Sequence, residues 1–297
     1  MAMEPIKSKL TSFYLWIKLL WLHLNQLLCR WMNRPFLFRS RRSPLYHSVV
    51  CIGDGYIEGF GDWIIAFNNG GITDKLPKIL RQKSSVRQYW TFVNAGHYHS
   101  TSFDWLPDCE EKPTQLTLGV GKSLWSDTFG SHSSDVNALK SEIAILCVGG
   151  SDHLYARKDG DLPHKTVENI KTICNELVKM GKIVIVSPIP LGLGGYKRVE
   201  RDERNKLLQE WLNTKPQNIY QGPDINTPLL RLPHYSLDHY HLSSHGYTLW
   251  SNMLVECVKN HMLQIEWKSY QEIWRQQKPE GKEKSRGEKS QGEKKEE

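Results

Sequence analysis

The chain has little cysteine, no closely spaced cysteine pair, no glycosylation sequon and no hydrophobic run of bilayer-spanning length. Each absence narrows what it can be. Six cysteines (Cys29, Cys51, Cys109, Cys147, Cys174 and Cys257) are scattered over 297 residues without a Cys-x-x-Cys spacing. That argues against a disulfide scaffold, which a chain of this length does not need. Cys51 and Cys147 fall in apolar runs, where a reduced thiol packs as a small hydrophobe. The lack of any Asn-x-Ser/Thr disfavours a secreted glycoprotein. No zinc-finger spacing, RNA-binding signature or arginine-rich recognition helix is present, so a nucleic-acid partner is not expected despite a net charge of +7 and a pI near 9.0.

Acidic residues are nearly missing from the N-terminal region, where Lys7, Lys9, Lys18, Arg30, Arg34, Arg39, Arg41 and Arg42 stand against Glu4 alone. Residues 11–32 are the most hydrophobic segment, and a helical projection gathers Phe13, Ile17, Leu20, Trp21, Leu24, Leu27, Leu28, Trp31 and Met32 on one side. Its longest stretch free of charge, residues 19–29, is shorter than the ~20 residues a membrane span requires. Three readings stay open: a helix lying in an anionic membrane surface, a signal peptide or signal anchor, and a helix docked on the domain itself. Tryptophans at both ends and flanking arginines suit the interface. No small-residue cleavage site follows the segment. The expected location is peripheral or signal-anchored at a membrane, otherwise cytoplasmic.

From about residue 46 the pattern alternates between strand and helix. Residues 48–52, 90–94, 143–148 and 183–187 are short β-branched runs that read as buried parallel strands. Residues 165–180 place Val167, Ile170, Ile173, Cys174, Leu177 and Val178 at helical spacing before Gly181. Further helices are expected over 201–212 and 245–267. Such a succession builds a helix-covered parallel sheet whose functional loops follow the strand C-termini. The chain divides into a basic N-terminal segment (1–44), a folded domain (45–268) and a charged tail (269–297). That tail has almost nothing apolar to bury from residue 278 onward and is expected to be disordered.

Four short blocks carry the chemistry. Gly53-Asp54-Gly55 ends the first strand, and Val93-Asn94-Ala95-Gly96 the second. Gly149-Gly150-Ser151-Asp152 follows the third, and Asp238-His239-Tyr240-His241-Leu242 precedes the last helix. In order and position, over most of residues 46–265, these resemble the blocks of the SGNH, or GDSL, hydrolases. The resemblance implies a three-layer α/β/α sandwich of flavodoxin-like type, with a parallel sheet of about five strands. It implies ester hydrolysis, with acyl or acetyl esters of lipids or carbohydrates as ligands, and no cofactor. In that chemistry a serine attacks the acyl carbon, a histidine takes its proton and an aspartate orients the imidazole. Carried across, His241 and Asp238 are kept, while Gly55 replaces the nucleophile. The oxyanion donors become the backbone at Gly55 and Gly96 and the side chain of Ser151, where the family has asparagine. Asp54 and Asp152 are supporting residues.

The ordinary covalent reaction is therefore not expected, and the chain reads as a catalytically impaired member that keeps the cleft as a ligand-binding or scaffolding protein. Losing one oxyanion donor typically costs about 10²–10³ in rate, and losing the nucleophile removes the intermediate altogether. Two alternatives remain: a His241–Asp238 pair activating water in the space a serine would fill, and a structural membrane-surface protein to which the cleft is irrelevant. His97, His99, His239, His241 and His245 would suit zinc by residue type, but the resemblance implies no metal. Leu118–Ser123 lacks the first glycine of a phosphate-binding loop, and Gly192–Gly195 reads as a loop at the cleft mouth. Tyr56, Phe60, Trp63, Trp105 and Tyr196 are candidate pocket or packing aromatics.

Overall fold

The computed structural model describes residues 45–62, 70–109, 123–130, 133, 136–155, 161–193, 198–226, 231–236 and 239–277, with positions 13, 17, 20, 21 and 24 of the N-terminal segment. Five parallel strands form the sheet: β1 (Tyr46–Gly53), β2 (Tyr89–Gly96), β3 (Ile143–Cys147), β4 (Ile183–Val186) and β5 (Ile219–Gln221). Their order is β2-β1-β3-β4-β5, which puts β1 in the interior, paired with β2 from Tyr46↔Tyr89 to Gly53↔Gly96 and with β3 from Val49↔Ile143 to Gly53↔Cys147. The helices are α1 (Gly55–Glu58), α2 (Gly71–Lys83), α3 (Leu124–Phe129), α4 (Val136–Leu139), α5 (Leu162–Lys179), α6 (Arg198–Asn213) and α7 (Ser244–Gln277).

Alternation along β1 explains the layering. Val49 and Cys51 face one side of the sheet, where Ile72 and Leu76 of α2 and Trp250, Leu254 and Val258 of α7 close over them. Val50 and Ile52 face the other, against Ile170, Ile173 and Leu177 of α5 and Leu208 of α6. All four β1 side chains are fully buried, and each such aliphatic contributes roughly 1.5–3 kcal/mol. This is the expected three-layer architecture. The expected strands and helices are present, with α5 and α6 starting about one turn early. Helices α2, α3 and α4 and strand β5 have no counterpart in the sequence pattern. Gly70, Gly71 and Pro77 read as breakers, yet α2 forms because its Ile72, Leu76, Ile79 and Leu80 pack on the sheet. Helix α7 continues to Gln277, beyond residue 268. Residues 1–12 and the tail from 278 lie outside the described residues.

At the N-terminal end of the strands a polar clamp fastens α7 to the sheet. Buried Glu266 accepts hydrogen bonds from the backbone of Arg87 (3.1 Å) and Gln88 (2.8 Å) and from Trp90 Nε1 (2.9 Å). Gln88 Nε2 donates to Glu266 O, and Ser269 Oγ to Gln88 Oε1, each at 3.0 Å. The candidate site lies at the opposite end.

Candidate functional site

Asp54 is the joint between the first and third blocks. It follows β1 and caps α1, accepting from Tyr56 N at 3.0 Å through one oxygen and from Gly150 N at 2.9 Å through the other. Burial pushes its carboxyl up to about 7, while those two amides and the Arg201 guanidinium pull the other way. No side chain fits at Gly150, because a Cβ there would stand 2.6 Å from Asp54 Oδ2. The fourth block joins the same point: Tyr240 Oη donates to Gly150 O at 2.9 Å, and Tyr56 Oη to Tyr240 O at 3.1 Å. The folded chain thus brings the three blocks into direct contact.

The second block meets α1. A Cβ on Gly96 would stand 2.2 Å from Glu58 N, so the close approach of β2 to the α1 backbone requires glycine. Asn94 secures that approach, donating from Nδ2 to Glu58 O at 3.1 Å and accepting from Gly96 N at 3.0 Å. The Gly96 N–H expected at an oxyanion is therefore directed to Asn94. Ser151 is half-buried in the turn after Gly150. Asp152 is committed to the scaffold, accepting from Ser102 N (2.8 Å), Ser102 Oγ (2.6 Å) and Thr166 Oγ1 (2.6 Å).

His241 and Gly55 face each other. A Cβ built on Gly55 would stand 2.9 Å from His241 Nε2 and 3.1 Å from Tyr98 Cδ2. The imidazole edge thus lies against the glycine backbone, on the ground a serine Cβ would take. Four aromatic rings surround the imidazole, with centroids at 4.4 Å (Phe60), 4.6 Å (Tyr240), 5.2 Å (Tyr56) and 5.8 Å (Tyr98). The loop carrying it is fixed by Ser236 N donating to His241 O at 2.8 Å and by the Tyr235–Leu242 bridge. Asp238 lies outside the described residues.

No family model and no curated protein matches the sequence. Solved structures do share the architecture. The chain is similar to the lipase Lip_vut3 from a goat rumen metagenome, at TM-score 0.52 and 12% identity over 72% of this chain and 98% of the lipase. It is also similar to a family 3 carbohydrate esterase of Clostridium thermocellum, at 0.50 and 14% over 74% and 99%. An acetylxylan esterase of Geobacillus stearothermophilus matches at 0.50 and 15% over 71% and 93%.

The chain shares the fold of these lipases and esterases. Within it, several residues around the site were not legible from the sequence blocks. Tyr98 stacks on Phe60 at 4.4 Å and forms one wall against His241. His99 adopts a left-handed backbone (φ 60°), and burial, with smaller contributions from the neighbouring His241 and His153, lowers its imidazole to about 4. Arg201 of α6 is buried over the Tyr240 ring at 4.1 Å and donates to Leu191 O, while Arg204 donates to Gly149 O. These arginines hold the third and fourth blocks from behind, and nothing in a polar helix sequence separates a buried arginine from a solvated one.

Among the candidate aromatics, Tyr56 and Phe60 border the imidazole, Trp105 is buried in the core away from it, and Trp63 and Tyr196 lie outside the described residues. Gly192 and Leu193 border the fourth block, with Leu193 N donating to His239 O at 2.9 Å. Among the described residues, no group of three or more His, Cys, Asp or Glu has metal-holding geometry.

A second histidine could be mistaken for a catalytic one. Ser269 Oγ, His47 Nε2 and His47 Nδ1–Glu142 follow each other at 3.5 and 3.0 Å, in triad order. Yet His47 Nε2 is engaged by Gln88 Oε1 at 2.6 Å, and the Ser269 hydroxyl points to Gln88 and to Glu266 O. This hydroxyl is buried in the clamp below α7 and belongs to packing.

Proposed function

We propose that this SGNH-fold chain has lost covalent ester hydrolysis and uses its cleft to bind a small ester, lipid or carbohydrate ligand, as a binding or scaffolding protein. The observation that carries the reading is the contact between Gly55 and His241. Position 55 carries no hydroxyl, and the imidazole that would activate one lies against the glycine, bordered by four aromatic rings. The Asn94–Gly96 hydrogen bond supports it, because it draws one expected oxyanion donor into the scaffold. The aromatic walls favour an apolar or sugar-ring ligand face. Membrane association through residues 11–32 is part of the proposal: Phe13, Ile17, Leu20, Trp21 and Leu24 are helical and all exposed. No helix among the described residues is long and apolar enough to cross a membrane.

The test is turnover of short- and long-chain p-nitrophenyl esters by wild type, Gly55→Ser and His241→Ala. The reading expects no wild-type turnover above the uncatalysed rate and no change in His241→Ala. Wild-type turnover abolished by His241→Ala would refute it in favour of a histidine-activated water.

A further inference from the structure

We infer that the folded domain itself rests on an anionic lipid bilayer through an aromatic face at the N-terminal end of its sheet, opposite the candidate site. The inference rests on the membrane reading of residues 11–32 and adds a second contact to it. Tyr46 and Tyr89, the first residues of β1 and β2, stack with ring centroids 4.9 Å apart, nearly parallel, and project into solvent. Helix α7 reaches the same end, where Glu266 and Ser269 bond to Gln88, the neighbour of Tyr89. Beyond that clamp it presents Trp267, Tyr270 and Trp274, and Trp267 stacks with Tyr270 at 6.0 Å. These five aromatics are between 46% and 66% exposed. At about 100° per residue the three of α7 fall within an arc of about 60°, beside the buried Glu266 edge. That is a stripe rather than a scatter of surface residues.

Tyrosine and tryptophan are the side chains that favour the headgroup region, with an apolar ring and a polar handle. Charge and chain path both name the partner. The N-terminal segment enters the domain at Tyr46, at this same end, and brings eight basic residues against Glu4. Its exposed Phe13, Ile17, Leu20, Trp21 and Leu24 fall within an arc of about 100°. An apolar stripe flanked by cations and an aromatic face at one end of the domain suit the same anionic surface. All strands are parallel, and β1 spans eight residues, so the candidate site would stand roughly 25 Å from that surface. Its ligand would then arrive from water rather than from the bilayer beneath.

The experiment is flotation of the full-length chain with phosphatidylcholine vesicles, with and without phosphatidylserine. Wild type is expected to float with the phosphatidylserine vesicles. Trp267→Ser/Tyr270→Ser/Trp274→Ser should reduce partitioning about tenfold or more, and Leu20→Asp/Leu24→Asp should reduce it independently. Trp274→Ser alone, beyond the clamp, should show a smaller loss in the same direction and serves if the triple variant does not fold. Wild-type-like flotation of the folded aromatic variants overturns the face, whereas loss in Leu20→Asp/Leu24→Asp alone leaves only the N-terminal anchor. A wild type that does not float overturns both. A wild-type dimer that becomes monomeric in the triple variant would assign the face to a second copy of the chain.

Discussion

Replacing Gly55 by alanine adds one methyl group where His241 now lies, which isolates the steric part of the missing-nucleophile argument. The new Cβ would stand 2.9 Å from Nε2 and 3.1 Å from Tyr98 Cδ2, so the imidazole must retreat by several tenths of an ångström to reach an ordinary contact. It retreats into rings whose centroids already lie at 4.4 and 4.6 Å. Overpacking of this kind costs about 1–3 kcal/mol. Against it stands about 0.4–1 kcal/mol gained by restricting the unfolded chain at a position without a left-handed φ. The net loss expected is about 1–2 kcal/mol, or a fall in Tm of roughly 2–8 °C for a domain of this size. In a His241→Ala background the closer obstacle is gone and the Tyr98 ring has room to give, so Gly55→Ala should cost little. A double-mutant cycle in urea should therefore give a coupling energy of about 1–2 kcal/mol. Equal effects of Gly55→Ala in both backgrounds would refute the placement of the imidazole.

Asp54 and Glu266 supply further tests. Because burial raises the Asp54 carboxyl from 3.8 to about 7, the folded state holds a proton the unfolded chain gives up. That stability is fully present below about pH 4 and lost as pH rises through 7. At about 1.4 kcal/mol per pH unit it amounts to roughly 4 kcal/mol at most. Unfolding free energies of wild type and Asp54→Asn should therefore diverge between pH 4 and 8, with the wild type falling; parallel profiles would count against a protonated Asp54. The lowered His99 imidazole acts in the opposite sense. Its contribution is complete above pH 6.5 and lost as pH falls towards 4, so His99→Gln should flatten the acid limb. Glu266→Ala strands two backbone amides and the Trp90 indole, which should cost about 3 kcal/mol or more in a urea melt. A loss under 1 kcal/mol would show that the clamp is not needed to hold α7.

The fold was legible because its signal is local. β1 announces itself through Ser48–Ile52, an unbroken run that only a strand buried on both faces tolerates, and α5 through apolar residues at helical spacing. The last third of α7 was not, since its tryptophans and tyrosine give no inward-facing period. It is Glu266 and Ser269, polar residues bonded across to Gln88, that carry the helix on. Helix α2 was hidden for the reverse reason, because breakers at Gly70, Gly71 and Pro77 are overridden by packing.

The site divides in the same way. The sequence by itself determined that position 55 carries no nucleophile, that a histidine stands in the last block, and that the first three blocks fall at strand ends. Those are facts of composition and order. Only the tertiary structure decided that His241 reaches the Gly55 backbone, that Asp54 joins the first and third blocks, and that Gly96 donates to Asn94. Each depends on distances of a few ångströms between residues 96 or 186 positions apart or on the rotation of one amide. Close packing fixes such distances, and no local pattern encodes them.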